Sequence, residues 1–365
     1  MRRFPHITYY LIGLGVLLFG LISLFNNASY QISIITRLNP AFSVISLIVA
    51  IVTLGLFTYQ LLAKKHCSQL DKILKYLKWV MLSIILISLL EYLVFPIIRA
   101  FIEIKDLNAI PPKSEFLQSI AYIITRFAKD LLKGVLITIE LSLVGTLAGL
   151  LLAMLLVSLR ILKPQKHDSE IAAFLKTFFN KVSALYVNIF RGTPMMVQAV
   201  IIYYLVPVLI SSSWGIPQDQ IDRLFTHLVA GFIVVSLNTA AYLTEVLRGA
   251  IESIDKGQME AARSLGLSYR QAMLKIIFPQ AIKNALPSIG NEFIINIKDT
   301  SVLNVIGVAE LFFVGQDAKM RFFRTYEPFI IVALIYLVLT LTCSRLLALL
   351  ERKMNLEVRA LPSSN

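Results

Sequence analysis

Cysteine is nearly absent from this chain: only Cys67 and Cys343 occur in 365 residues. One lies in a basic loop and the other inside an apolar run, so they make no disulfide framework and exclude the small secreted scaffolds. Charge is scarce too. Asp, Glu, Lys and Arg make up 16% of the chain, where soluble domains average about 25%. Some motifs are missing altogether. No Gly-x4-Gly-Lys-[Ser/Thr] loop occurs, so the chain has no usual cradle for nucleotide phosphates. Zinc-ligand spacing and a nucleophile elbow are also lacking, as are internal repeats and low-complexity tracts. Any chemical energy the chain uses must come from another polypeptide.

What fills the space is apolar sequence: 57% hydrophobic residues and a mean hydropathy of +0.74. Runs able to cross a ~30 Å hydrocarbon core occur at 7–25, 41–63, 79–98, 131–159, 224–247 and 329–350. Two more polar candidates are 195–210, extended back from 182, and 285–308. The expected fold is an all-α integral membrane protein of about eight transmembrane helices. Segment 7–25 exceeds a usual signal h-region and lacks a good cleavage site after it, so it reads as a retained anchor helix.

Net charge is +13, but its placement points to lipid and not to nucleic acid. The 35 Lys and Arg divide roughly two to one in favour of the side holding both termini and the loops 64–78, 160–191 and 248–283. By the positive-inside rule that side is cytoplasmic, and the excess charge also contacts anionic lipid. The chain divides near Pro111-Pro112. Residues 1–110 form an N-terminal extension of three helices, 111–130 an extracytoplasmic linker, 131–352 a five-span core with a loop at 250–283, and 353–365 a cytoplasmic tail. Three extra helices move the N-terminus to the cytoplasm without changing how the later spans face.

The loop 256–287 is the most ordered polar segment in the sequence. Gly266 falls where a helix C-terminus takes a left-handed residue. Ser268 and Gln271 make a capping box for a second helix, and Pro279 marks where that helix ends or kinks. Ala261 and Ala262 admit close approach of a partner's surface, and Glu260 places a carboxylate near a helix N-terminus. An ordinary amphipathic surface helix lying on the membrane is the first rival for this pattern; a helix-turn-helix DNA reader is a second, but spans about ten residues away on both sides leave no room for a duplex.

Three further segments stand out. Thr193 is a good N-cap with Pro194 at the first helical position, and Arg191 stays at the interface. Glu292, Asn296 and Asp299 fall at i, i+4 and i+7, hence on one helix face. Ionisable groups in a span usually face a bundle interior or a water-filled cavity, so this stripe is the candidate substrate path. A polar network that fixes helix packing is the competing reading for each of the three. Glu140 and Asn238 read as packing glue, and Gly145-x-x-x-Gly149 permits close helix contact.

The run Glu260-Ala261-Ala262, three residues, Gly266, nine residues, Ile276, one residue, Phe278-Pro279 resembles the signature loop of ATP-binding-cassette (ABC) importer permeases. Phe278 stands where that family has Leu. Residues 188–198 and 241–249 are similar to segments of its polar amino-acid subfamily (the histidine, glutamine and arginine type). The likeness covers roughly 131–352. It implies that the 256–279 loop is a coupling helix with Glu260, Ala261, Ala262 and Gly266 as the ATPase-docking residues. It further implies cytoplasmic ATPase subunits that bind ATP-Mg, a second permease subunit (a homodimer), an extracytoplasmic solute-binding protein and a polar amino acid as cargo. No cofactor and no enzymatic activity are expected of this chain, whose home would be a bacterial cell membrane. The rival is an ATP-independent secondary transporter or channel, and a methionine or osmolyte permease is a further alternative.

Overall fold

The computed structural model describes residues 94–164 and 168–353, with isolated positions between 48 and 83. The expected spans 7–25 and 41–63, most of 79–98, Cys67 and all but the first residue of the 353–365 tail lie outside the described residues. The chain divides into two compact units, Met1–Tyr122 and Ile123–Asn365. In the first, α1 (Phe95–Glu103) runs into a short 3-10 turn (Ile104–Asp106). Helix α2 (Phe116–Arg126) lies within the segment expected to be a linker. Its Gln118 donates to Glu103 Oε2 at 2.6 Å, and its Tyr122 hydroxyl donates to the Asn108 carbonyl at 3.2 Å.

The second unit is helical among its described residues: α3 (Ala128–Arg160), α4 (Glu170–Gly192), α5 (Met195–Trp214), α6 (Gln218–Leu224), α7 (His227–Glu252), α8 (Lys256–Ser264), α9 (Tyr269–Ala272), α10 (Phe278–Asp299), α11 (Leu311–Phe322) and α12 (Tyr326–Lys353). Four of these, α3, α5, α7 and α12, are long and apolar enough to cross a membrane. At 1.5 Å per residue α3 is about 50 Å long, well beyond the hydrocarbon core.

Three expected boundaries shift. The stretch from 182 to 210 is two helices, because Pro194 cannot donate a backbone bond and holds Thr193 extended (φ −123°, ψ 145°). Pro194 itself, rather than Thr193, occupies the N-cap of α5. The Thr193 hydroxyl instead donates to the Ile189 carbonyl at 2.8 Å and closes the end of α4. The span expected at 285–308 begins earlier and stops at Asp299. A 3-10 segment (Thr300–Ile306) continues it until Gly307, at φ 80°, reverses the chain. The 224–247 span starts afresh at His227, capped by the Thr226 side chain after α6.

Helices α3 and α7 form the tightest pair. A Cβ added at Gly145 would lie 2.4 Å from Val235 Cγ1, and one at Gly149 would lie 2.9 Å from Thr239 Cβ and 3.0 Å from the Ser236 carbonyl oxygen. Without side chains at 145 and 149 the α3 backbone packs directly on Val235, Ser236 and Thr239 of α7, the small-residue contact on which helix association in lipid relies. Apolar side chains fill the bundle on both sides of this contact. One cluster joins Leu141, Val234, Val235, Leu303 and Ile306, and the other joins Ala153, Val157, Leu243, Leu247 and Ala285. Gly290 lets α10 approach α12, where a Cβ would meet Leu347 Cδ1 at 2.3 Å. Gly145→Ala must separate α3 from α7 or displace the stiff Val235 side chain. We expect a lower thermal midpoint for the detergent-purified protein, equivalent to about 1–3 kcal/mol. An unchanged midpoint would show that the helices do not pack through this glycine.

Candidate functional site: an exposed capped loop and a charged helix face

The loop between α7 and α10 is built by its own caps. The Asp255 carboxylate accepts from the Gly257 amide at 2.6 Å and starts α8. Gly266 ends α8 in the left-handed region at φ 84°. The Leu267 amide donates to the Ala262 carbonyl at 3.2 Å and the Gly266 amide to the Arg263 carbonyl at 3.0 Å, which together form a Schellman motif. The expected capping box is present: Ser268 Oγ accepts from the Gln271 amide at 3.2 Å, and the Ser268 amide donates to Gln271 Oε1 at 2.8 Å. Both turns of the corner therefore close on themselves, so the loop holds its shape while most of it stays exposed.

Helix α9 is not a separate short helix. It passes through a π segment (Met273–Ile277) directly into α10, with Pro279 in the first turn of that helix. Pro279 has no N–H to place in an i→i−4 ladder, and the wider π spacing just before it is where the bonding pattern changes. The four residues expected to meet a partner divide by exposure. Glu260, Ala261 and Gly266 are exposed, while Ala262 is buried at 4% and packs within the loop.

The stripe on α10 divides as well. Asn296 is 3% exposed, and its Nδ2 donates to Thr146 Oγ1 and Thr239 Oγ1, both at 2.9 Å. It ties α10 to α3 and α7 at the level of the glycine contact and is turned away from any open path. Glu292 is half-buried and lies within electrostatic range of Arg191 and Asp299. Asp299 and Lys298 are exposed at the end of α10. The Arg191 guanidinium stacks over the Tyr242 ring, 5.2 Å from its centroid. Acidic and basic groups thus share one part of the bundle.

Other polar residues serve the scaffold. Gln198 Nε2 donates to the Phe190 carbonyl at 2.9 Å, the Thr193 carbonyl at 3.0 Å and Thr193 Oγ1 at 2.9 Å, while its oxygen accepts from Asn238 at 3.0 Å. Asn238 is packing glue, as expected. Glu140 is not: it is exposed between Leu136 and Leu143 on the outer face of α3. Glu310, unremarked in the sequence, is fully buried. It caps α11 by accepting from the Phe312 and Phe313 amides at 2.9 and 2.8 Å, and it accepts from the Tyr336 hydroxyl at 2.7 Å. The local signal was an acidic residue one position before an apolar helix start, just after a chain-reversing glycine.

Long apolar helices joined by a self-capped, exposed loop define a multi-pass membrane protein. The chain belongs to the family of binding-protein-dependent transport system inner membrane components, whose pattern matches residues 170–356. It is similar to the glutamine transport system permease protein of Escherichia coli (strain K12), at 35% identity over 62% of this chain and 93% of the relative. The arginine transport system permease protein of Bacillus subtilis (strain 168) is 34% identical over 61% of this chain and 92% of its own length. Among solved structures, the crystal structure of an amino acid ABC transporter with histidines matches with a TM-score of 0.53. Identity there is 33%, covering 65% of this chain and 98% of that one. The chain is accordingly a multi-pass permease subunit of an ABC transporter.

Asn296→Ala removes two buried hydrogen bonds at the junction of three helices. We expect a lower thermal midpoint, equivalent to about 1–2 kcal/mol at the scale of intramembrane bonds. A midpoint equal to that of the unmodified protein would take Asn296 out of the packing.

Proposed function

We propose that this chain is the permease of an ATP-driven importer of polar amino acids. Two copies form one translocation path in the cell membrane of a bacterium, with both termini and the 256–279 loop in the cytoplasm. The observation that carries this reading is the loop: a helix closed by a Schellman turn and a capping box, presenting Glu260 and Ala261 outward. Such a joint transmits force without losing shape. The ATPase partners bind ATP-Mg and receive this loop through Glu260, Ala261 and Gly266, with Ala262 setting the loop's own packing. The relatives, glutamine and arginine transport permeases, support the cargo class.

Transport then follows from rigid parts. Closure of the ATPase pair moves the loop, the loop moves α7 and α10, and the region around Glu292 and Asp299 opens outward to take solute from a solute-binding protein. A free amino acid carries an ammonium for the carboxylates and a carboxylate for Arg191 or Lys298. Intramembrane charges on a bundle's open face are costly and persist where a path needs them. The 1–110 segment is an added module outside this machinery.

Two substitutions separate the roles. Glu260→Lys reverses charge on the docking face, and the ATPase should no longer co-purify with the permease; undiminished recovery of the ATPase would sink the docking role. Asp299→Asn should leave the complex assembled and cut uptake of glutamine and arginine by roughly tenfold, about 1.4 kcal/mol of lost binding or barrier stabilisation. Uptake at the unmodified rate would remove Asp299 from the path.

A further inference from the structure

The end of α7 that feeds the coupling loop is held by charge. Glu245, two turns before that end, uses its two oxygens differently. Oε2 accepts from Arg248 Nε at 2.9 Å and Nη2 at 2.8 Å, and Arg248 Nη1 reaches on to Glu252 Oε2 at 2.7 Å. Oε1 is buried and accepts no hydrogen bond; facing it is the Nε of Arg160, 3.6 Å away at the last residue of α3. A buried carboxylate oxygen without a donor is costly unless a cation offsets it, and Arg160 is that cation. Arg160 is itself anchored, because Asn180 of α4 donates to its carbonyl, and Ser183 of α4 donates to the Leu156 carbonyl one turn back at 2.9 Å. The chain of contacts therefore runs from α4 through the end of α3 and across Glu245 to Glu252. Only Ser253, Ile254 and Asp255 separate Glu252 from α8.

The two attachments of the coupling loop differ in kind. At α10 the chain passes through a π segment and a proline, where ladder bonding is irregular and bending is easiest. At α7 it meets a helix cross-tied to its neighbours. We propose that Glu245 is a positioning residue that makes the last turns of α7 a rigid lever. It locks them to α3 so that force arriving at Glu260 and Ala261 turns the α3–α7 pair and does not bend the last turns of α7. This rests on the importer reading above and names the element that carries its coupling.

The test measures solute uptake and ATP hydrolysis together, in the complete complex reconstituted in liposomes with its ATPase and binding protein, using radiolabelled glutamine and arginine. Glu245→Gln and Arg160→Gln should assemble and hydrolyse ATP while uptake per ATP falls about fivefold or more, a normal size for a coupling change. Because Glu245→Gln already loses the Arg160 contact, the double variant should be no worse than Glu245→Gln alone. Arg160→Lys keeps a cation opposite Oε1 and should stay near the unmodified ratio. Arg160→Gln with an unmodified ratio overturns the proposal, as does a proportional fall of uptake and hydrolysis, which is plain structural damage. If Glu245→Gln fails to assemble, the Arg160→Gln and Arg160→Lys pair decides. Absence of ATP-driven uptake by the unmodified complex would instead overturn the importer reading.

Discussion

Helix α3 packs its backbone directly on α7 at Gly145 and Gly149, and that contact sets the geometry of the rest of the bundle. Lipid offers no hydrophobic drive between apolar helices, so close van der Waals contact and internal hydrogen bonds must supply it. Asn296 exploits the closeness. Its amide reaches Thr146 on one helix and Thr239 on the other only because the two axes are so near. The apolar clusters above and below then seat α5 and the 3-10 segment at one end and α10 at the other.

Against this rigid pair the polar residues of the spans sort into two kinds. Gln198, Asn238, Asn296 and Glu310 spend their hydrogen bonds on helix ends and neighbouring helices, which is what burial in a waterless interior demands. Glu292, Asp299 and Lys298 keep open surface, with Arg191 held over Tyr242 beside them. The same helix face thus carries both a structural bond and the charges proposed to line the path, one turn apart.

As the proposed coupling element, the 256–279 loop needs both a stiff body and a stiff mount. Local capping supplies the first: every end of α8 and the start of α9 is closed by residues within the loop. Glu245 supplies the second, through Arg160, by tying the end of α7 to α3. The π segment before Pro279 leaves the other attachment free to adjust as α10 moves, and a loop fixed equally at both ends would resist the motion it is meant to transmit.

Short-range information was legible in the chain itself. Gly266, Ser268 and Gln271 dictate their turn and cap because those bonds close within a few residues, and the apolar runs announce spans because lipid permits little else. The family followed from the spacing in the 260–279 run. Boundaries near Pro194 and Asp299 were read a few residues off, since helix ends depend on competing caps that residue type does not rank. The split of the Glu292, Asn296 and Asp299 stripe was beyond sequence reading: periodicity places three side chains on one face but cannot say which of them meets another helix. Only the tertiary structure decided that Asn296 faces Thr146 and Thr239, that Ala262 turns inward, that Glu140 faces out and that Glu245 stands opposite Arg160. The Asn296 and Glu245 contacts join residues far apart in the chain, and in this bundle such contacts are set by how closely two glycines let their helices approach.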